Sequence, residues 1–241
     1  MRDMNSIRTC VVLTALLLGA GSTIAIGQSD SYTRMLSTTM STTNSLFSAQ
    51  SAVIEQRRSM AKAAGVLPAG TSPSSSAPQV QPVLRQYPIT ATDFRPVSSP
   101  IMPDQLADAA TGVDTATRET MRKLFKQALT SFEGGARKNN LANAFAFLTA
   151  VALQVKTGTE PTNAQTDFLI AYFNYIVAGS PAYRSYSPQQ LQMLYESLVI
   201  TGNVLALIDS QGKQTKDPNL KAQAGAMSQA VLKQFLGVDA Q

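Results

Sequence analysis

The longest run of apolar positions in the chain lies near its middle, between residues 141 and 155. Twelve of these fifteen positions are apolar, and the polar ones are Asn143, Thr149 and Gln154. A helix that is apolar on every side belongs in the centre of a protein. Asn140 can cap its first turn, and Gly158 can take the left-handed conformation that ends its last turn. The pattern therefore predicts a central helix over residues 140–157.

Helical patterns also precede and follow this segment, and several begin with a recognisable cap. Thr162 and Gln165 form a capping box, and Ser187 and Gln190 repeat it ahead of a proline at the first helical position. The helices expected around the central one span about 104–110, 115–134, 162–179, 187–212 and 217–237. No segment of strand length alternates between apolar and polar residues. The sequence predicts an all-α fold, an antiparallel bundle of about five helices around the central apolar helix.

The chain before this bundle has a different character. Residues 28–65 carry apolar positions at roughly helical spacing and predict a separate N-terminal helical segment. Residues 66–103 hold eight of the twelve prolines, a density that forbids helix and central strand and indicates a Pro/Ser-rich linker. This linker is interpreted as a spacer, with a partner-binding strand as the alternative. The bundle domain is therefore placed at 104–241, and deleting 28–100 is expected to leave it folded.

Within the linker, two short stretches are the expected points of contact with the bundle. They are Tyr87-Pro88-Ile89 and Asp93-Phe94-Arg95-Pro96.

The first 27 residues have the pattern of a secretory signal peptide. Arg2 and Arg8 make the start positive, an apolar run follows over 11–20, and Ala25-Ile26-Gly27 is a small-x-small cleavage site. We expect export by the general secretory route to the periplasm or the medium. After cleavage no segment is expected to span the membrane, because the central apolar run is shorter than the roughly 20 residues a span needs.

The composition excludes several catalytic mechanisms and metal sites. The chain has no histidine, and its single cysteine, Cys10, lies within the signal. Ser-His-Asp and Cys-His catalysis and zinc sites with nitrogen or sulfur ligands are thereby excluded from the mature chain. No metal or cofactor is predicted. The formal net charge of +5 is mild, and no dense basic stripe suggests nucleic-acid binding.

Two groups of residues are candidate binding sites. The proline-flanked connection after the third long helix carries large residues with polar tips, a type enriched at binding hot spots: Tyr183, Arg184 and Tyr186. The second group puts polar side chains on otherwise apolar helix faces: Asn143, Tyr195 and Glu196. Such groups must find hydrogen-bond partners or line a cavity. Both groups also have a structural interpretation, in which they only cover helix ends or join two helices.

The preferred function is a non-enzymatic binding module whose partner is another envelope protein or a cell-wall component. One alternative is a glycan hydrolase, which needs two carboxylates about 5 to 9 Å apart. Its candidates are Glu133, Glu160 and Glu196. A second alternative is a membrane-perturbing protein, suggested by two successive apolar helices and by a basic stripe that could meet anionic lipid. The stripe consists of Arg118, Arg122 and Lys126.

Two sequence features together resemble a known family. The stretch Asn139-Asn140-Leu141-Ala142-Asn143-Ala144 begins the central helix, and a later helix carries Leu194-Tyr195-Glu196 and Gly202. In this pairing the chain resembles an uncharacterised family of exported bacterial all-helical proteins. The resemblance covers about 110–238 and implies a helical domain of unknown function, without a reaction to carry over.

Overall fold

The computed structural model describes residues 87–237. The predicted signal peptide, the predicted N-terminal helical segment and the part of the predicted linker up to residue 86 lie outside these residues. The described part consists of a 3-10 helix, Ile89–Thr92, and seven α-helices: α1 Met102–Asp108, α2 Thr115–Gly135, α3 Leu141–Thr157, α4 Asn163–Gly179, α5 Pro181–Ser185, α6 Pro188–Thr215 and α7 Pro218–Leu236. Between residues 87 and 237 no strand occurs. The predicted all-α bundle is confirmed.

Helix α3 lies at the centre of this bundle, packed against α4, α6 and α7. Every residue from Leu141 to Leu153 is buried. The Asn140 side chain accepts from the Asn143 backbone N–H at 3.0 Å, and Gly158 ends the helix with φ at 70°. Both predicted ends of the central helix are confirmed, and its all-round burial follows from its lack of a polar face.

The neighbouring helices also start where their caps predict. Capping boxes are present at Thr162 with Gln165 and at Ser187 with Gln190, and Asp217 accepts from the first backbone N–H groups of α7. The loops between these helices are short, so successive helices pack next to one another in antiparallel directions.

Helix α6 differs from the expectation at its C-terminal end. Gly212 was expected to stop it, but the helix continues to Thr215 and Lys216 ends it with φ at 57°. A Cβ atom at Gly212 would lie 3.1 Å from both the Leu220 Cβ and the Lys221 backbone nitrogen. This glycine is therefore there for close packing of α6 on α7, not for a left-handed turn.

By length and composition, α6 is the one helix among the described residues that could cross a membrane. Its most apolar window has a mean hydropathy of 1.5, and 78% of that window is buried inside the protein. The core helix of a bundle has these same properties, so the apolarity of α6 is already accounted for by the helices around it.

The basic stripe on α2 is matched by acidic residues. Arg122 pairs with Asp104 at 3.0 Å, with Asp108 at 2.6 Å and with Glu119, and Lys126 pairs with Asp104 at 2.9 Å. Most of these partners lie on α1. The ion pairs of Arg122 and Lys126 fasten α1 to α2, whereas Arg118 donates to the Ala110 carbonyl at 3.3 Å. Two of the three stripe residues are thus already matched by acidic side chains.

Residues 87–101 lie along the helices and are called the strap. The spacer interpretation does not hold for the described half of the linker, 87–103, since its backbone and side chains bond to α3, α4 and α6. Pro103 and Met102 are already part of helix α1 and are buried. Deletion of 28–100 would remove most of these contacts, so the structure gives a reason to expect that the remaining domain is destabilised; the effect of the deletion stays a prediction.

Candidate functional site

Several polar side chains buried in the bundle point at the strap. Four of them bond directly to strap atoms, and all four are at most 4% exposed: Asn140, Asn174, Gln192 and Glu196. They come from three different helices or helix ends, and most of the bonds they make are to the main chain of the strap. A buried polar group without a partner is costly, so this arrangement requires the strap to be in place.

At the first end of the strap, Asn174 of α4 uses its whole amide. Its Nδ2 donates to the carbonyl oxygens of Tyr87 and Pro88 at 3.0 and 3.1 Å. Its Oδ1 accepts from the Thr92 hydroxyl at 3.0 Å, and Thr92 has no exposed surface. The 3-10 helix of the strap is thus held from both of its ends by one side chain.

In the middle, the strap meets the head of α3. Asn140 Nδ2 donates to the Ile89 carbonyl at 2.8 Å and to Asp93 Oδ1 at 2.7 Å, while its Oδ1 caps α3. The Phe94 N–H donates to the Asn139 carbonyl at 2.9 Å. Asn139 presents that carbonyl from a left-handed conformation, with φ at 51°, which asparagine tolerates better than most residues.

An ion pair fixes the same place. Arg137 Nε donates to Asp93 Oδ1 at 2.8 Å, and its Nη2 donates to Asp93 Oδ2. These hydrogen bonds hold the pKa of the Asp93 carboxyl below its usual value and raise the pKa of Arg137. On the other side, the Tyr183 hydroxyl donates to the Asp93 carbonyl at 3.2 Å.

At the second end, Gln192 and Glu196 of α6 bind the strap together. Gln192 Oε1 accepts from the Val97 N–H at 2.8 Å, and its Nε2 donates to the carbonyls of Ser98 and Ser99 at 3.2 Å. Glu196 Oε2 accepts from the N–H groups that open α1, at 2.8 and 2.7 Å. A further bond of 2.8 Å joins Gln192 Nε2 to Glu196 Oε1. Both Glu196 oxygens are therefore engaged.

Between these two ends the strap inserts an aromatic ring. Phe94 meets Tyr195 edge to face with ring centroids 5.4 Å apart, and Tyr195 also contacts Phe132 at 6.1 Å. The Tyr195 hydroxyl donates to Glu133 Oε1 at 3.4 Å. Burial, with the Glu133 charge next, raises the pKa of Tyr195, so this residue is a neutral hydrogen-bond donor.

The structure brings four of the six predicted site residues to the strap. Glu196, Tyr195 and Tyr183 contact it directly, and Asn143 donates to Asn140 at 2.8 Å. Of the other two, Arg184 is exposed on the short helix α5, and Tyr186 is half-buried against the core. Binding by these six residues stays a prediction. The two stretches expected to touch the bundle, 87–89 and 93–96, are confirmed as contact points at Tyr87, Pro88, Ile89, Asp93 and Phe94.

Sequence reasoning missed three residues of this site, Arg137, Asn174 and Gln192, and it missed the strap-binding role of Asn140. Asn174 and Gln192 had a usable signal, because each is an amide within a helix whose neighbours are apolar, as Asn143 is. Arg137 had none, since an exposed arginine before a helix is ordinary. Its partner Asp93 lies 44 positions earlier in the chain.

The three candidate carboxylates do not form an open pair. Glu196 is 3% exposed and binds N–H groups, while Glu133 is half-buried beside Tyr195 and 3.7 Å from Lys138. Glu160 follows the opposite end of α3, after Gly158. In the described range 87–237, no three acidic, histidine or cysteine side chains are placed to share a metal ion.

Residues 6–241 match a family described as a family of unknown function, DUF6683. The match includes the N-terminal region that the resemblance seen in the sequence had left outside. No curated protein and no solved structure matches the chain. Because the match covers nearly the whole sequence, the chain belongs to this family of unknown function.

Proposed function

We propose that this protein is an exported, non-catalytic interaction module that binds an extended protein segment. The observation that supports it is the set of buried side chains on α4, α6 and the head of α3 that bond to main-chain atoms of the strap. We call the surface formed by Asn140, Asn174, Gln192 and Glu196 the groove. Main-chain recognition suits an extended peptide, because every peptide offers the same N–H and carbonyl groups.

Export is the other half of this proposal. It rests on the positive start, the short apolar run and the small-x-small site of residues 1–27. Mass spectrometry of the protein isolated from the cell envelope is expected to find a mature N-terminus at or near Gln28. A cytosolic protein that retains its first residues would overturn this half without touching the other.

The partner is a protein from the same compartment rather than a glycan. A glycan hydrolase would need two accessible carboxylates. Both carboxylate oxygens of Glu196 already accept hydrogen bonds from other groups of the protein. Incubation with peptidoglycan separates the two functions. We expect no soluble fragments. Fragment release that disappears in Glu196→Gln would reverse the proposal in favour of the hydrolase.

Capture from an envelope extract tests the interaction. The bait is the full chain, compared with Asp93→Ala, which weakens the hold on the strap and leaves the groove residues unchanged. The control is Asp209→Ala, which removes the ion-pair partner of Lys213. Asp209 lies about 20 Å along α6 from the groove residue Glu196.

We expect one defined protein to be recovered several-fold more with Asp93→Ala than with the parent or the control. The reason is that a loosened strap leaves the groove open more often. Equal recovery by all three baits would mean that the partner binds elsewhere on the molecule. If no bait recovered a specific protein, the proposal of an interaction module would be contradicted.

A further inference from the structure

The outer surface of the strap carries positive charge next to exposed apolar side chains. We propose that this surface binds an acidic segment of another protein, whose carboxylates pair with Arg95, Arg137 and Arg184. We call these three side chains the arginine patch. The groove binds the inner side of the strap and the patch lies on its outer side, so this inference goes beyond the proposed function.

Two of the three arginines are placed by the strap itself. Arg137 holds the carboxylate of Asp93 through Nε at 2.8 Å and through Nη2. Arg95 comes two positions after Asp93 on an extended backbone, as expected ahead of a proline. Side chains two apart on an extended segment lie on the same side, so Arg95 lies next to the pair of Asp93 and Arg137. Phe94, between them, packs in the opposite direction against Tyr195.

The third arginine lies beside the same residue on helix α5. Arg184 follows Tyr183, whose hydroxyl donates to the Asp93 carbonyl at 3.2 Å. Arg95 and Arg184 are both exposed, and the ion pairs within residues 87–237 include neither of them. Asp93 offsets only the charge of Arg137. The patch therefore keeps a net positive charge.

The strap also supplies the apolar part of this surface. Ile89 and Val97 are 41% and 55% exposed, and they are the exposed large hydrophobic residues of the described part of the chain. One amide group of Asn140 binds both the Ile89 carbonyl and the Asp93 carboxylate, so Ile89 lies close to the patch. Val97 follows Arg95 by two positions. Arginine beside apolar side chains is typical of protein interfaces, which favours a protein partner over a membrane surface or a glycan.

Arginine also fits a carboxylate partner. Its planar group donates two parallel N–H bonds to one carboxylate, and such charge-assisted bonds are about twice as strong as neutral ones. The pair of Arg137 and Asp93 already shows this arrangement within the chain.

The chain does not itself supply the acidic segment. Residues 28–86 hold five basic residues, Arg34, Arg57, Arg58, Lys62 and Arg85, against two acidic ones, Asp30 and Glu55. Their positive balance disfavours this segment as the occupant. In a second copy, several acidic side chains of the described part already pair with basic ones: Asp104, Asp108, Glu119 and Asp209. The partner is therefore a different protein.

Binding of a defined peptide to the full chain tests the patch. The probe is a short labelled peptide of glutamates with two leucines, compared with the same peptide carrying glutamine in place of each glutamate. We expect the parent to bind only the acidic peptide, with an affinity that falls as salt is added. Arg95→Glu combined with Arg184→Glu is expected to weaken binding about tenfold or more, because two attractive charges become repulsive.

The matched control is Lys123→Glu combined with Lys221→Glu, which changes the net charge equally at exposed positions of α2 and α7. We expect it to bind the peptide nearly as tightly as the parent. Arg95→Gln combined with Arg184→Gln removes the charges without reversing them, and it is expected to weaken binding too if the reversed variant fails to fold. Equal binding by the parent and the folded arginine variants would overturn the patch.

Hydrogen exchange with the peptide bound separates the patch from the groove. We expect the N–H groups of Phe94 and Val97, which donate to Asn139 and Gln192, to stay protected. Loss of this protection would mean that the peptide replaces the strap in the groove, which overturns the patch and supports the proposed function. Vesicles of phosphatidylglycerol and phosphatidylcholine give the last comparison. Vesicle binding that is lost in Arg95→Glu with Arg184→Glu, without peptide binding, would overturn the protein partner in favour of an anionic membrane surface.

Discussion

Asn140 serves two parts of the molecule with one side chain. Its carbonyl oxygen caps α3, and its NH₂ group donates to Ile89 and Asp93 of the strap. The capping role follows from the sequence, because a cap acts on N–H groups two or three residues away. The strap-binding role does not, since its partners lie 51 and 47 positions earlier and only the folded chain brings them close.

Gly202 marks the closest approach of α6 to α3. A Cβ atom there would lie 2.6 Å from Phe147 Cε1, and Phe147 is itself buried against Phe132 with ring centroids 4.9 Å apart. We expect Gly202→Ala to lower the free energy of unfolding by about 1–3 kcal/mol through overpacking. Chemical denaturation measures the change.

Gly225→Ala is the matched control, since Gly225 also lies within a helix but has open space around it. Alanine there is expected to stabilise the protein by about 0.5–1 kcal/mol, because glycine loses more backbone entropy on folding. If the two substitutions had the same effect, the contact between α6 and α3 at Gly202 would be wrong.

The ion pair between Asp93 and Arg137 gives the strap a pH dependence. The pKa of Asp93 is lowered in the folded state, so its contribution is complete above the unfolded value near 3.8 and is lost as the pH falls through the folded pKa. Solvent reaches both side chains, 31% and 43% exposed, and limits the contribution to about 1 kcal/mol or less.

Unfolding of the parent and of Asp93→Asn should be compared between pH 7 and pH 2. We expect the parent to be the more stable at pH 7, and the difference to shrink below pH 3.8. A difference that stays constant over the whole range would mean that the carboxylate charge plays no part in holding the strap.

At the scale of the elements, local signals predicted most of the helices. The capping boxes at Thr162 and Ser187 act within four residues, so the starts of α4 and α6 could be placed from the sequence. The end of α6 could not, because Gly212 has two possible roles and the choice depends on how α7 packs. The strap was recognised only at its two predicted contact points, 87–89 and 93–96. How it is bound could not be predicted, since main-chain bonds leave no side-chain pattern in the segment that is bound.

Helix α3 is expected to carry the largest share of the packing energy. Phe145 has no exposed surface, and its ring centroid lies 5.3 Å from that of Phe173 on α4 and 5.2 Å from that of Phe235 on α7. We expect Phe145→Ala to cost on the order of 3–5 kcal/mol by leaving a cavity between three helices. Gln229→Ala, at an exposed position of α7, serves as control and is expected to change stability by about 0.5 kcal/mol at most. An equally small effect at Phe145 would make α3 peripheral.

At the scale of the whole molecule, the folded unit begins earlier than the helix pattern indicates. Comparing two deletions tests this boundary. Removing 28–86 keeps the strap, and we expect the melting temperature of residues 87–237 to be unchanged. Removing 28–100 leaves the buried amides of Asn140, Asn174 and Gln192 without their strap partners, so the melting temperature should fall by several degrees or cooperative melting should be lost. If the two deletion variants had the same melting temperature, the strap would be only a spacer.

The fold class and the family follow from patterns spread along the chain, whereas the groove follows from contacts between segments nearly a hundred residues apart. That difference in sequence separation explains why the bundle was predictable and its binding surface was not. The central claim is that the strap is bound through its main chain by buried polar side chains.

Amide hydrogen exchange of the intact chain tests this claim most directly, because the strap contains its own controls. The N–H groups of Phe94, Val97, Ile101 and Met102 donate to Asn139, Gln192 and Glu196, while no hydrogen bond is formed by the N–H groups of Arg95 and Ser99. We expect the first four to be protected and the last two to exchange much faster. Exchange of all six at the rate of an unstructured peptide would contradict the account.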